Sequence, residues 1–309
     1  MSTLLITHSA CLDHLTPHGH PERPDRLRAI ERALEAEKFQ TLARVQAPRA
    51  ELDVITLCHP LDYIKSIREA TSGEGIVHLD ADTSVSAGSF EAALRAAGGA
   101  VFAVDEVFGK RAANAFVATR PPGHHAETAR AMGFCLFDNA AIAARYAQKR
   151  YGIARAAVID FDVHHGNGSQ DIFWADDGVM YLSTHQMPLY PGTGALGETG
   201  EYDTVVNAPL RPGDGGEAFR AAFETRILPR MRDFAPELIV ISAGFDAHMR
   251  DPLANLNLVE ADFAWATQKI MDVADRCAEG RIVSLLEGGY DLEALAKSSA
   301  AHVNALMHG

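Results

Sequence analysis

Short apolar runs of strand length alternate along this chain with longer stretches of helical character. The runs are Leu4–Thr7, Ala115–Thr119, Ala156–Asp160, Val179–Ser183, Thr204–Ala208, Leu238–Ser242 and Ile282–Leu286. The helix-length stretches are Arg26–Glu37, Ser89–Phe108, Asn139–Arg150, Glu217–Phe234, Glu260–Arg276 and Leu292–Met307. Strands apolar on both faces and separated by helices predict a mostly parallel sheet covered on both sides. No internal repeat, low-complexity tract or linker interrupts the pattern. The expectation is therefore one α/β domain over residues 1–309, with a doubly wound central sheet flanked by helices. In such sheets ligands bind beyond the carboxyl ends of the strands, and the polar clusters of this chain fall just there.

The first cluster follows Ala156–Ile159, where the chain reads Asp160-Phe161-Asp162-Val163-His164-His165-Gly166-Asn167-Gly168. Side chains two apart share a face of an extended chain, so Asp160, Asp162 and His164 are expected to point one way. Two carboxylates and an imidazole at the end of a buried strand need a positive partner, and a divalent metal would supply it. The second cluster, Arg120-Pro121-Pro122-Gly123-His124-His125, follows Ala115–Thr119. Alone, this histidine pair reads as a solvated loop. The third, Gly244-Phe245-Asp246, follows Leu238–Ser242 and alone reads as a helix cap. In the fourth, Glu287-Gly288-Gly289-Tyr290, a double glycine presents a tyrosine that alone reads as packing.

Together the four clusters match the needs of metal-assisted hydrolysis: about three protein ligands, a base for water and a donor to the oxyanion. Asp162, His164 and Asp246 would be the ligands. His124 and His125 would be the acid/base pair and Tyr290 the hydroxyl donor, with Asp160 and Asn167 orienting the imidazoles.

Composition narrows the field around this site. The chain has 309 residues, 47% of them hydrophobic, which suffices for a large core. No apolar stretch approaches the ~20 residues that span a bilayer. The start of the chain reads as a first strand rather than a signal peptide. Four cysteines without a CxxC pair offer neither a disulfide framework nor a thiolate zinc site. The cytoplasm is the expected location. A formal net charge of −13 argues against a nucleic-acid surface. It would favour encounter with cationic small molecules or basic peptides, although many soluble proteins are acidic for solubility alone.

The chain resembles the zinc-dependent histone deacetylase-like amidohydrolases of the class II type, which share the arginase/deacetylase fold. The resemblance rests on seven motifs in order: His20-Pro21-Glu22-Arg23-Pro24-Asp25-Arg26, Pro121-Pro122-Gly123-His124-His125, Met132-Gly133-Phe134-Cys135, the Asp160–Gly168 stretch, Tyr190-Pro191-Gly192-Thr193-Gly194, Ala243-Gly244-Phe245-Asp246 and Glu287-Gly288-Gly289-Tyr290. Asn167, where class I relatives carry an acid, points to class II. The resemblance implies zinc, with iron(II) or cobalt(II) as alternatives, on Asp162, His164 and Asp246. It implies that Asp160 holds His124 charged and that His125, beside neutral Asn167, is the base and later the acid. It implies tunnel walls of Gly133, Phe134 and Tyr190, with Leu253 at the mouth. It also implies a structural potassium ion at Asp160, Asp162 and His164 with Ser183 and Thr184.

The implied reaction is deacetylation of acetyl-lysine in proteins or peptides, or of a small acylated amine. Polyamine-selective relatives place a glutamate where this chain has Leu253, which favours the acyl-lysine substrate over an acetylpolyamine. An arginase-like two-metal hydrolase would need a second ligand set. A non-catalytic acyl-lysine binding protein would be expected to lack His125 or Tyr290. Monomer and homo-oligomer both stay open.

Overall fold

The computed structural model describes residues 2–309. Ten strands are present among the described residues: β1 (Leu4–Thr7), β2 (Ala43–Gln46), β3 (Ile76–His78), β4 (Ser84–Ser86), β5 (Ala115–Val117), β6 (Ala156–Asp160), β7 (Val179–Gln186), β8 (Val205–Leu210), β9 (Leu238–Ala243) and β10 (Ile282–Leu286). Eight form one sheet in the order β2-β1-β5-β10-β9-β6-β7-β8, and every pair in it is parallel. β3 and β4 make a separate antiparallel hairpin. Doubly wound, parallel and flanked by helices, the architecture agrees with the sequence expectation.

The sheet is buried on both faces because successive side chains feed two different cores. Ala156 and Val158 belong to one, Ala157 and Ile159 to the other; Leu238 and Val240 divide from Ile239 and Ile241 in the same way. Burying each of the Val, Ile and Leu side chains contributes about 1.5–3 kcal/mol. The first core packs helices Ser89–Phe108 and Asn139–Tyr151, and the second packs Asp25–Ala33, Glu260–Cys277 and Leu292–His308. Asp138 caps Asn139–Tyr151 by accepting from Ala141 N at 2.8 Å.

Three expectations need adjustment. The span Glu217–Phe234 is helical, but a wider π-type turn, Phe223–Ile227, separates Gly216–Ala222 from Leu228–Phe234. Pro229 has no N–H to complete the regular ladder there. The run Ala115–Thr119 is strand only to Val117, after which the chain turns toward the Arg120–His125 loop. Edge strand β2, the β3–β4 hairpin and the helix Leu61–Ala70 carry too short or too polar a pattern to stand out.

The four polar clusters follow β5, β10, β9 and β6, which are consecutive in the sheet. Their carboxyl ends therefore open onto one place.

Candidate metal centre and active site

Beyond Asp160 the chain is not extended, so the expected single face of three side chains is replaced by two tight turns. Asp160 Oδ1 accepts from Asp162 N at 3.0 Å, and Asp162 Oδ1 accepts from His164 N at 2.9 Å. Aspartate favours such turns because its short side chain reaches the backbone two residues on. The turns divide the side chains: Asp160 faces His124, while Asp162 and His164 converge on Asp246 from the loop after the neighbouring strand β9.

Asp162, His164 and Asp246 are buried, and each offers one ligand atom within 4.8 Å of the others. His164 Nδ1 lies 3.2 Å from Asp162 Oδ1 and 3.0 Å from Asp246 Oδ2. The edge of a tetrahedron around an ion with ligands at ~2.1 Å is about 3.4 Å, so this set fits one divalent cation. Its electrostatics ask for one as well. Despite burial, the two carboxylates raise His164 to about 10, drawing positive charge onto the ring. A Cβ at Gly288 would collide with the Asp246 carboxylate, so the close approach of the β10 loop requires glycine there. Gly288 N uses that approach to donate to Asp162 Oδ2 at 2.7 Å.

The two histidines of the β5 loop sit side by side, ring centroids 4.0 Å apart, in opposite electrostatic settings. His124 Nδ1 lies 3.0 Å from Asp160 Oδ2, and its Nε2 lies 3.8 Å from Asp162 Oδ2. Burial works against its charge, but the Asp162 and Asp160 carboxylates prevail and hold it well above the usual histidine range. Tyr181 donates to the same Asp160 oxygen at 3.0 Å. His125 is pushed well below that range, first by burial and then by its charged neighbours His124 and His164.

Asn167 settles the tautomer of His125. Its Nδ2 donates to Glu127 Oε1 at 2.8 Å, which turns Oδ1 toward His125 Nδ1, also at 2.8 Å. Nδ1 therefore carries the proton, and Nε2 keeps a free lone pair.

A cavity of about 250 Å³ opens above the cluster. His125, His164, Gly133, Phe134, Tyr190, Leu253 and Tyr290 line it, joined by Asp82 and Leu189. Phe134 holds its place through a tight turn in which Cys135 N donates to Met132 O at 3.0 Å. Gly133 has φ +56° and Phe134 φ +68°, both left-handed, which is uncommon for a bulky residue. Two side-chain acceptors hold the turn: Asp82 Oδ1 for Gly133 N at 3.2 Å and Thr83 Oγ1 for Phe134 N at 3.0 Å. A Cβ at Gly133 would strike the His125 ring.

Several contributors escaped the sequence reading. Asp82 sits on a loop without periodicity and has no signal beyond its own acidity. Glu22 and Arg26, quoted only as part of a motif, form a fully buried network with Arg120. Arg26 Nε donates to Gly289 O at 2.7 Å, and its guanidinium lies 5.0 Å from the Tyr290 ring centre. Asp251 Oδ2 accepts from Tyr290 N at 2.7 Å, and its Oδ1 accepts from Leu253 N at 3.0 Å. The loop that presents Tyr290 is thus tied to Leu253, which lines the cavity.

For the second cation, Ser183 lies in register with Asp160 across β6 and β7. Its hydroxyl pairs with His185 Nδ1 at 2.9 Å, whereas Thr184 Oγ1 and Ser242 Oγ are buried without a partner. Ser242 flanks Asp160 in register on the other side.

Comparison with known proteins finds relatives over nearly the whole chain. The family model described as "Histone deacetylase domain" matches residues 20–306. A histone deacetylase-like amidohydrolase of Pseudomonas aeruginosa is 39% identical, covering 88% of this chain and 73% of that protein. A probable deacetylase of Archaeoglobus fulgidus is 37% identical, covering all of this chain and 87% of that one. The crystal structure of the HDA15 HD domain superposes with a TM-score of 0.94 at 34% identity, covering 99% of this chain and 88% of that one. With these motifs at the ends of these strands, the chain belongs to the histone deacetylase family of deacetylases and amidohydrolases.

Proposed function

We propose that the chain hydrolyses the amide of an acylated amine, and that its substrate is an acetyl-lysine side chain of a protein or peptide. The observation that carries this reading is the joint lining of one narrow cavity by His125, Tyr290 and the cluster residue His164. Zinc is the ion we assign to Asp162, His164 and Asp246, although an oxygen and nitrogen ligand set also accepts iron(II) or cobalt(II). When bound, the cation supplies Lewis acidity toward a water molecule and the acyl carbonyl. His125 takes the water proton on its free Nε2, since Nδ1 is already protonated and held by Asn167. Tyr290 donates its hydroxyl to the oxyanion that develops on the former carbonyl. His124, held charged between Asp160 and Asp162, adds positive potential beside it. His125 then returns its proton to the leaving amine.

Gly133, Phe134 and Tyr190 suit the aliphatic stem of lysine, and Leu253 gives the mouth an apolar edge. The buried, unpartnered Thr184 and Ser242 hydroxyls support a potassium site at Asp160, Asp162, His164, Ser183 and Thr184. Among the described residues no helix is long and apolar enough to cross a membrane. We place the protein in the cytoplasm as part of the same proposal.

A second reading, an acetylpolyamine amidohydrolase, is favoured by Asp82, whose carboxylate lines the cavity and offers a partner to a distal ammonium. The two separate in kcat/KM for an acetyl-lysine peptide against N8-acetylspermidine, measured with apo protein and with added Zn²⁺, Fe²⁺ or Co²⁺. The peptide should win, and Leu253→Glu should narrow the gap. A preference for the polyamine would overturn the substrate assignment, and no turnover of either would overturn the reaction.

A further inference from the structure

The loops that carry His125 and Tyr290 leave adjacent strands, β5 and β10, and one buried side chain joins them. Glu287 is 1% exposed. Its Oε2 accepts from Gly123 N at 2.7 Å and from His124 N at 3.2 Å, more than 160 residues away in sequence. Its own backbone is fixed as well: Glu287 N donates to Ala243 O at 3.0 Å, and Glu287 O accepts from Arg26. The far side of the Gly123 turn is closed, because a Cβ on Gly123 would lie 2.6 Å from Asn139 N and 2.9 Å from Phe137 O. The His125 loop is therefore held between the 137–139 backbone and the Glu287 carboxyl group.

We propose that Glu287 is a positioning residue: by accepting these two backbone N–H groups it fixes the His125 loop against the Tyr290 loop, and so sets the separation of base and hydroxyl donor. Tyr290 follows three residues after Glu287, so any shift of the carboxyl group moves both loops relative to each other. Without the acceptor, two buried N–H groups would lose their partner and the loop would have to move to recover one. What the loop needs is an acceptor rather than a charge. Glu287 Oε1 has no hydrogen-bond partner and Glu287 forms no ion pair with Lys or Arg among the described residues. Burial accordingly pushes the group up to about 8, and the nearby His124 offsets this only in part.

The inference rests on the hydrolase reading above, and its test separates the two. Glu287→Met fills the volume without an acceptor, while Glu287→Gln keeps one. Four quantities are compared with the wild-type metal-loaded enzyme: bound metal per chain, kcat and KM on an acetyl-lysine peptide, and amide hydrogen exchange over residues 120–126. Since a displacement of about 1 Å can lower turnover by about a hundredfold, Glu287→Met should lose about 10- to 100-fold in kcat with KM and metal content little changed. Its 120–126 amides should exchange faster. Glu287→Gln should recover both kcat and slow exchange. Wild-type exchange in the Met variant, a loss confined to KM, or a Gln variant as impaired as Met would each overturn the assignment. If Glu287→Met does not accumulate as folded protein, Glu287→Asp, one methylene short of the loop, replaces it with the same expectations. A wild type inactive on the peptide would count against the acetyl-lysine reading, while the exchange measurements would still decide the clamp.

Discussion

His125 Nδ1 and Asn167 Oδ1 stand 2.8 Å apart, a neutral pairing, while the neighbouring His124 has the Asp160 carboxylate at the equivalent ring nitrogen. One oxygen-for-nitrogen exchange would erase that difference. In Asn167→Asp a carboxylate would favour the charged ring and raise the His125 pKa. The base works only when neutral, so activity rises with pH through its pKa. The acid limb of the kcat/KM profile should accordingly move to higher pH. A limb that stays in place would remove His125 from the role of base.

Asp246 is the one cluster member supplied by the loop after β9, and it faces His164, which follows the adjacent strand β6. Asp246→Ala leaves two ligands on a single loop. Metal bound per chain, measured by elemental analysis after gel filtration, should fall clearly below that of the wild type. Unchanged stoichiometry would refute the assignment of the centre.

Tyr290 is held at its backbone by Asp251 and its ring packs edge-on to Phe134, with centroids 5.8 Å apart. Phenylalanine preserves that packing and removes only the hydroxyl. Tyr290→Phe should keep its metal and its melting temperature while turnover falls by about 10²–10³, the range for losing one oxyanion donor. Near wild-type turnover would make Tyr290 a packing residue.

Acid sensitivity should arise partly far from the site, at His302. Thr267 Oγ1 gives its proton to Phe263 O at 2.7 Å, so it accepts from His302 Nδ1 at 2.6 Å, and Ser284 Oγ donates to Nε2 at 2.8 Å. The ring is locked neutral, and burial lowers it from 6.5 to about 3. The unfolded chain takes up this proton more readily than the folded one. Stability from this group is therefore whole above about pH 6.5 and is lost as pH falls toward about 3. In urea unfolding, the wild type should lose about 1.4 kcal/mol more than His302→Gln between about pH 7.5 and about pH 5.5. Equal pH dependence in the two proteins would contradict the locked neutral ring.

Legibility in the sequence followed burial. β6, β9 and β10 are surrounded on both faces, so nearly every residue in them is apolar and the runs are plain. Strand β2 sits at the sheet edge, where Arg44 and Gln46 face solvent and Ala43 and Val45 are only half buried. Its Ala-Arg-Val-Gln pattern is too short and too mixed to separate from a loop. The same distinction holds in the site. Asp162, His164, Asp246 and Tyr290 follow buried strands and could be placed by counting from them. Asp82 comes from a loop that reaches the cavity only through the tertiary fold, and Glu22 and Arg26 act on residues more than 90 positions away. The extended alternation expected after Asp160 failed because carboxylate-to-backbone turns outcompete strand geometry once the sheet ends.

The order of the central strands also bears on how the protein matures. β10 lies between β5 and β9, yet it follows all the other strands of the sheet in sequence. Until it inserts, the β5 loop and the β6–β9 ligand cluster lack the element that joins them, and parallel pairing over such separations is slow. Gly288 N cannot reach Asp162, nor can Arg26 find Gly289, in a nascent chain that stops short of Ile282. A chain without β10 would thus carry the acidic cluster without the loop that presents Tyr290.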